Sequence, residues 1–163
     1  MSMTYLVAMR SEDPSTHSGC VIATKNNRFI TSGYNGLPRG VKVTSERLER
    51  PEKYLWFEHG ERNAIYNTTQ SLYDSKAYIN WFPCNDCARG LIQAGVKHII
   101  VHKEGQELYE SINPGSHWEG KMVGTIQMFK EAGVLLEVKS IKIVAEITAF
   151  FSGKEMSLQQ TGE

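Results

Sequence analysis

Short apolar runs with two different spacings follow one another along the chain, and together they predict alternating strands and helices. Two β-rich runs, at 19–24 and 28–32, flank a turn-prone Lys-Asn-Asn sequence and predict a β-hairpin. Later runs predict five more elements, which are a helix at 54–70, a strand at 76–82, a helix at 85–94, a strand at 97–102 and a helix at 119–132. This alternation favours an α/β fold with helices on both faces of a sheet.

Other stretches have less regular patterns. Three of them predict irregular structure, namely the Gly- and Pro-rich loop 33–40, the charged segment 41–53 (a loop or a short helix) and the aperiodic loop 103–118. The apolar run at 134–147 predicts one or two final strands, and residues 153–163 are expected to form a loose tail. A chain of 163 residues fits one domain with one well-buried core, so we expect a single domain over 1–163.

Composition and charge narrow the classes of function. The 18 basic and 18 acidic residues cancel, so no overall field draws the chain to nucleic acid or to an anionic membrane. The apolar runs are too short to span a bilayer, and residues 1–10 lack the basic start of a secretory signal. Of the 3 cysteines, Cys20 lies in an apolar run and is expected in the core. Such sparse cysteine usage suits the cytoplasm.

Two short motifs carry the candidate chemistry. His59-Gly60-Glu61 and Pro83-Cys84-Asn-Asp-Cys87 supply one imidazole, two thiols and a carboxylate. Each motif alone is weak evidence, because H-x-E arises by chance and a C-x-x-C pair is also found in redox and structural sites. Together they predict a zinc ion with three protein ligands and a fourth position open to water, as in catalytic sites. Zinc lowers the pKa of that water, and Glu61 is placed to take and return its proton.

The predicted positions of these residues support one shared metal site. Cys84 and Cys87 lie on one face of the first turn of a predicted helix, whose positive end favours thiolate over thiol. His59 lies near the start of the preceding predicted helix, so two helix starts can converge on one ion. The combined H-x-E…P-C-x-x-C pattern is the signature of zinc-dependent nucleobase deaminases.

Beyond the metal motifs, residues 11–132 resemble the deoxycytidylate deaminases of the cytidine-deaminase superfamily. The resemblance rests on five segments, which are Ser11–Gly19, Gly33–Pro38, His59–Ile65, Phe82–Ala88 and Gln93–Lys97. It implies a three-layer α/β/α sandwich with a central five-stranded mixed sheet, and hydrolysis of dCMP to dUMP and ammonia, which feeds dTTP synthesis. It also implies a catalytic zinc in each subunit of a homohexamer that dCTP activates and dTTP inhibits, with Mg²⁺ accompanying the triphosphate.

The chain departs from the family pattern in three places. Gly60 stands where the family usually has Ala, which weakens the start of the helix by up to about 1 kcal/mol. Segment 103–118 lacks a match to the family segment that covers the substrate. The insert before His59 is short and has no ligand set for the second zinc that some members carry.

Five residues are candidates for contacts with the substrate. Asn35 is the candidate for the sugar 3′-hydroxyl, since an amide can donate and accept; the alternative is a turn residue. Asn63 either contacts the substrate or bonds to backbone near the site. Tyr34, Trp81 and Phe82 either wall the pyrimidine or belong to the core.

Five further residues are candidates for an allosteric nucleotide. Arg39 and Lys42 are cations near the Gly-rich loop, and they bind the substrate phosphate, bind the regulatory triphosphate or are simply solvated. Asp13 and Thr16 either contact the regulatory nucleotide through its sugar or metal, or form an ordinary turn. Gly36 belongs to the same loop as Arg39.

Two other functions remain open. One is a deaminase that acts on a free nucleoside or on a base within nucleic acid. A deaminase of nucleic acid would favour a basic surface with exposed aromatic residues, and the zero net charge argues against it. The other is a zinc-containing module that senses deoxynucleotides without catalysis. Glu61 argues against the second, because a purely structural site has no use for a proton carrier.

Overall fold

The fold is built on a mixed sheet of five strands. The computed structural model describes residues 1–112, 118–143, 147–151 and 153–158. The strands of this sheet are β1 (Gly19–Ala23), β2 (Phe29–Tyr34), β3 (Lys76–Ile79), β4 (His98–His102) and β5 (Leu135–Lys139), in the spatial order β2-β1-β3-β4-β5. β1 is antiparallel to β2 and to β3, whereas β3, β4 and β5 run parallel. Parallel neighbours require crossover connections, which the helices provide.

Helices cover both faces of this sheet. The helices are α1 (Ser2–Ala8), α2 (Ser45–Leu48), α3 (Lys53–Trp56), α4 (Gly60–Tyr66), α5 (Asn85–Gln93), α6 (Lys103–Ile112) and α7 (Trp118–Glu131). α4, α5 and α7 pack on one face, while α1 and α6 pack on the other. The predicted α/β fold with a five-stranded mixed sheet between helices is confirmed.

The core is divided by the sheet. Its larger part lies under α4, α5 and α7, where Leu91, Ile99 and Phe129 are almost completely buried. The smaller part contains Tyr5, Trp81, Tyr109 and Ile143 on the opposite face. β4 is buried on both faces, as is typical of a central parallel strand, and it reads as a continuous apolar run. Within the described ranges, no helix is both long and apolar enough to cross a membrane.

One close approach places α4 against the sheet. A Cβ atom on Gly33 in β2 would lie 2.2 Å from the backbone nitrogen of Ala64 and 2.4 Å from the backbone oxygen of Gly60. Both distances are far below van der Waals contact, so only glycine fits at this position. This contact lets the first turn of α4, which carries the H-x-E motif, lie directly on the sheet.

The prediction of a single helix at 54–70 was wrong, because the structure has two shorter helices there with an extended segment between them. α3 ends at Trp56, the chain is extended through His59, and α4 begins at Gly60. Gly36 and Glu58 exchange two backbone hydrogen bonds of 2.8 and 3.0 Å across this break. Those bonds use backbone groups that a continuous helix would need for itself.

The loop predicted at 103–118 was also wrong over its first part, which forms α6. Gly105, Gln106 and Tyr109 are buried along one side of this helix, and Lys103 pairs with Glu107 one turn later at 3.5 Å. Leu108, Tyr109 and Ile112 do follow a helical spacing, but the buried side also includes a glycine and a glutamine, which shorten its apolar stripe. Residues 113–117 lie outside the described residues.

Two further corrections concern the ends of the chain. α1 was not predicted; it is short, and its buried face contains Thr4 as well as Tyr5 and Ala8. The tail predicted to be loose from 153 contains β7 (Lys154–Leu158), which pairs with β6 (Ile147–Phe151). Gly153 provides the positive φ of 76° between them, a conformation that glycine adopts at little cost.

Candidate active site

The starts of two helices bring the predicted zinc ligands together. His59 and Cys84 are the residues that precede α4 and α5, and both have extended backbone angles, while Cys87 lies in the first turn of α5. His59 Nδ1 lies 3.4 Å from Cys84 Sγ and 3.5 Å from Cys87 Sγ. The three candidate ligand atoms all lie within 4.8 Å of one another.

These distances suit a tetrahedral zinc ion. With Zn–S bonds of about 2.3 Å and Zn–N bonds of about 2.0–2.1 Å, tetrahedral angles separate a sulfur from a nitrogen ligand by roughly 3.6 Å. The observed separations of 3.4 and 3.5 Å are close to this value. One imidazole and two sulfurs also match the ligand types that zinc prefers, so the residues present fit this ion.

The two cysteine sulfurs lie close together, and this favours the anionic form of one of them. The thiol of Cys87, together with His59, lowers the pKa of Cys84 to about 3 despite partial burial. The pKa of Cys87 is raised above its usual value by its hydrogen bond to Cys84 and by its burial. The arrangement therefore favours a thiolate at Cys84, which is the form that binds a metal ion.

The imidazole of His59 responds to this charge. Burial lowers its pKa, but the hydrogen bond to Cys84 and the charges of Glu61 and Cys84 outweigh burial and raise it.

Arg62 lies on the outer side of the site, where its Nε donates a hydrogen bond to Glu58 at 2.5 Å. The Arg62 guanidinium also lies 3.8 Å from Asp86 of α5, so ionic contacts hold the two helix starts together.

Glu61 points into the same site and is almost completely enclosed. Only 8% of the residue is exposed. Burial raises the pKa of its carboxyl, and the charge of His59 partly opposes that rise. Such a carboxyl binds a proton closer to neutral pH than an exposed glutamate does, which suits proton transfer.

A cavity of about 150 Å³ opens beside these residues, and its wall includes His59, Glu61 and Cys84. Trp81, Phe82 and Tyr109 give it aromatic walls. Among the predicted site residues, Asn35, Phe82, Asp13 and Thr16 also lie on the wall. Tyr109 and Gln106 come from α6, the segment predicted as a loop, so sequence reasoning missed their contribution.

Asn35 has most of its hydrogen-bonding capacity in use. Its Nδ2 donates to Thr16 O at 2.7 Å and to Asp13 Oδ2 at 3.2 Å, while its Oδ1 accepts from Ser18 N at 2.7 Å. Both amide hydrogens are therefore used. The second lone pair of Oδ1 remains, so Asn35 can accept one more hydrogen bond but cannot donate one.

Tyr34 and Asn63 do not line the cavity. Asn63 Nδ2 donates to the backbone oxygen of Tyr34 at 2.8 Å, which ties α4 to the end of β2. The guanidinium of Arg10 lies 5.7 Å from the centre of the Tyr34 ring. Neither side chain therefore contacts a ligand in this cavity directly, and Asn63 instead fixes the end of the strand that leads to Asn35.

Gly36, Arg39 and Lys42 do not line the cavity either. Gly36 pairs with Glu58 through its backbone, and Arg39 donates a hydrogen bond to the side chain of Asn67. Arg39 and Lys42 are both exposed. The structure therefore places neither cation on the wall of the cavity.

Lys53 forms a buried ion pair with Asp13 that the sequence did not reveal. Its Nζ lies 2.9 and 2.8 Å from the two carboxylate oxygens of Asp13, and it also donates to Ser15 Oγ. Lys53 and Asp13 are each 4% exposed. Forty positions separate them along the chain, so no local pattern could have paired them. The pair joins α3 to segment 13–18, which also contains the hydrogen-bond partners of the Asn35 side chain.

Breaking this pair should destabilise the fold. We expect Lys53→Met to lower the free energy of unfolding by about 3–5 kcal/mol, because it leaves Asp13 buried without its counter-ion. The matched control is Lys25→Met, which breaks the exposed Lys25–Asp74 pair at 3.3 Å and should cost at most about 1 kcal/mol. Urea unfolding of both variants measures the difference, and equal losses would contradict a structural role for the buried pair.

Comparison with known proteins gives the family setting. Residues 1–103 match the family described as the cytidine and deoxycytidylate deaminase zinc-binding region. An uncharacterized deaminase from Aliivibrio fischeri is 36% identical over 132 residues, which are 81% of this chain and 85% of that protein. A probable deoxycytidylate deaminase from Caenorhabditis elegans is 42% identical over 108 residues, which are 63% of this chain and 55% of that protein. The chain therefore spans about half the length of the latter.

A solved structure shares the fold. The dCMP deaminase from the cyanophage S-TIM5, determined in complex with dCMP and dUMP, matches with a TM-score of 0.57. The match covers 84% of this chain and 89% of the phage protein, at 20% sequence identity. At that identity the likeness shows a common architecture, and the substrate has to be argued from the site.

Proposed function

The chain belongs to the family of the cytidine and deoxycytidylate deaminase zinc-binding region, and we propose that it hydrolyses dCMP to dUMP and ammonia. The observation that carries this proposal is the convergence of three zinc-type ligands and a buried carboxyl on one aromatic-walled cavity. We further propose that residues 1–163 act as a single deaminase domain.

His59, Cys84 and Cys87 would hold the zinc. When bound, the ion lowers the pKa of a coordinated water and so supplies a nucleophile at neutral pH. The contribution of the chain is to place two sulfurs and one imidazole nitrogen at the starts of α4 and α5, where the lowered pKa of Cys84 favours its thiolate.

Glu61 is the proton carrier in this proposal. Its carboxylate takes the proton of the attacking water and donates it to N3 of the cytosine ring. It then carries the second proton of the same water to the departing amine, so that one water is consumed and one ammonia is released for each dCMP. Its burial supports this role, because bulk water has little access to compete for the proton.

The walls of the cavity would hold the rest of the nucleotide. Phe82, with Trp81 and Tyr109, offers apolar surface to the pyrimidine. Asn35 Oδ1 would accept a hydrogen bond from the sugar hydroxyl, which is the capacity its other contacts leave open. Tyr34 and Asn63 would act indirectly, by fixing the end of β2 against α4.

The choice of substrate can be tested directly. Loss of cytosine absorbance should be followed with dCMP, deoxycytidine and a cytosine-containing oligonucleotide, using zinc-loaded protein. We expect turnover of dCMP well above that of the other two substrates. Preferred turnover of the nucleoside or the oligonucleotide would assign a different deaminase activity. Bound zinc without any turnover would instead favour a deoxynucleotide sensor.

Regulation is a further part of the proposal. As the resemblance implies, dCTP would activate a homohexamer and dTTP would inhibit it with Mg²⁺, in a pathway that feeds dTTP synthesis. Arg39 and Lys42 support a triphosphate site because both are exposed cations near Gly36. Asp13 and Thr16 would act less directly, since Lys53 already neutralises the Asp13 carboxylate. The three free cysteines support a cytoplasmic location.

Binding of dTTP should be visible in two measurements. Millimolar dTTP with Mg²⁺ is expected to lower the rate of dCMP turnover and to raise the melting temperature, because a ligand that binds only folded protein stabilises it. The control is the same concentration of dTTP after Arg39→Gln and Lys42→Gln, which should weaken both effects. Unchanged rate and melting temperature in the unsubstituted protein would contradict the regulatory site.

A further inference from the structure

The wall of the cavity contains two side chains with a permanent positive charge, Arg50 and Lys53. A nucleoside monophosphate differs from a nucleoside by a dianionic group that needs cationic donors. In the proposed function, the zinc ligands and Glu61 act on the base of the nucleotide. A phosphate at the other end can be bound only by a cation whose N–H donors are not already used.

Lys53 has none left. An ammonium group has three hydrogens to donate. In this structure it contacts three acceptors, which are the two Asp13 oxygens at 2.9 and 2.8 Å and Ser15 Oγ. The charge of Lys53 is also balanced by Asp13, so this pair presents no net charge to a ligand.

The donors of Arg50, in contrast, are not in use. It is exposed and lies on the wall of the cavity. Among the residues that the structure describes, it forms no ion pair or side-chain hydrogen bond, although Glu49 and Glu52 flank it in the sequence. Its five N–H donors are therefore available in a planar arrangement that matches phosphate oxygens.

Neighbouring arginines are already occupied. Arg47 donates to the backbone oxygen of Lys42 at 2.8 Å, and its guanidinium lies 4.1 Å from the centre of the Trp56 ring. Arg62 is paired with Glu58. Arg50 is thus the one cationic side chain on the described cavity wall that has free donors.

We propose that Arg50 binds the 5′-phosphate of the substrate and thereby selects nucleoside monophosphates over nucleosides. This inference rests on the proposed deaminase function, which it extends from the class of reaction to the residue that sets specificity. Within the described part of the chain, no hydrogen bond or ion pair joins Arg50 to Glu61 or to a zinc ligand, so we expect its replacement to act on phosphate binding.

The test compares two substrates, dCMP and deoxycytidine, in the unsubstituted protein and in Arg50→Gln. For Arg50→Gln we expect kcat/KM for dCMP to fall by about 10- to 100-fold, the usual effect of losing hydrogen bonds to a charged group. For deoxycytidine, which has no phosphate, the same substitution should change kcat/KM little. Inorganic phosphate should compete with dCMP in the unsubstituted protein and much less in Arg50→Gln.

Two controls separate this effect from a general loss of charge or fold. Arg28→Gln removes an exposed arginine near the hairpin tip, away from the cavity, and should leave both substrates unaffected. Arg50→Lys keeps the charge without the planar donors and should retain part of the preference for dCMP. The melting temperature of Arg50→Gln should match that of the unsubstituted protein.

Other outcomes have distinct meanings. If the unsubstituted protein prefers dCMP and Arg50→Gln keeps that preference, the phosphate role of Arg50 is wrong while the proposed function stands. An equal loss for dCMP and deoxycytidine would also overturn that role, because it would point to a structural effect. If the unsubstituted protein turns over neither substrate, the proposed function itself is wrong and the inference is lost with it.

Discussion

Replacing Glu61 by glutamine is expected to lower kcat for dCMP by about 10²- to 10⁴-fold, the usual contribution of one positioned proton-transfer group. Glutamine keeps the length and shape of the side chain, but its amide cannot take up or release a proton near neutral pH. Glu61 is nearly enclosed beside His59 and Cys84, so bulk water is a poor replacement. Steady-state loss of cytosine absorbance measures the effect.

The same variant should leave the metal and the fold intact. The pKa of Glu61 is raised in the folded protein mainly by burial, so above that pKa its charged form costs folding free energy. A neutral amide removes this cost, and Glu61→Gln should therefore melt at the same or a higher temperature. Zinc content, measured by elemental analysis, should stay at one ion per chain. Full activity in this variant would exclude Glu61 as the proton carrier.

Replacing Cys87 by alanine is expected to remove nearly all bound zinc and to lower kcat/KM for dCMP by at least about 10³-fold. With Cys87 gone, only His59 and Cys84 remain of the three grouped ligands. The melting temperature should also fall, because zinc stabilises the folded chain only while it can bind. Elemental analysis, activity and thermal unfolding on one preparation test all three effects.

Cys20→Ala is the matched control for this experiment. Cys20 and Cys87 are both fully buried, so each substitution removes one sulfur from the interior. Cys20 is not part of the ligand group, and burial raises its pKa, which keeps it as a thiol. Cys20→Ala should retain zinc and activity. If it loses zinc as readily as Cys87→Ala, the loss reflects partial unfolding, and zinc at full content in Cys87→Ala would contradict its role as a ligand.

Several elements were predicted from the sequence because their signals are local. The hairpin of β1 and β2 was predicted from two β-rich runs around a turn, and α5 from a periodic segment that Gly95 ends with a φ of +84°. β4 and α7 were predicted in the same way. In each case the residues that decide the structure are close together in the sequence, so the pattern is sufficient. The resemblance to deoxycytidylate deaminases is likewise confirmed by the matched family and relatives.

Elements that depend on distant partners were predicted poorly. The break between α3 and α4 arises because Glu58 pairs with Gly36, 22 positions earlier in the sequence. α6 was missed because the residues it buries include Gly105 and Gln106, whose environment is made by other elements. Gln106 Oε1 accepts from Phe82 N at 2.8 Å, next to the cavity. A helix whose buried side includes a glycine and a glutamine shows only a short apolar stripe in the sequence, although Leu108, Tyr109 and Ile112 keep the helical spacing.

The candidate site also has a part that local sequence signals reveal and a part that depends on distant partners. The sequence alone was enough to identify His59, Glu61, Cys84 and Cys87 as a candidate zinc-dependent catalytic group, because this chemistry depends on residue type and short spacing. Only the tertiary structure decided which cations can meet a ligand. It removed Lys53 by pairing it with Asp13, and it left Arg50 unpaired on the cavity wall. The physical reason is that hydrogen bonds and ion pairs are used up by partners far away in the sequence, and only the folded chain shows which donors remain.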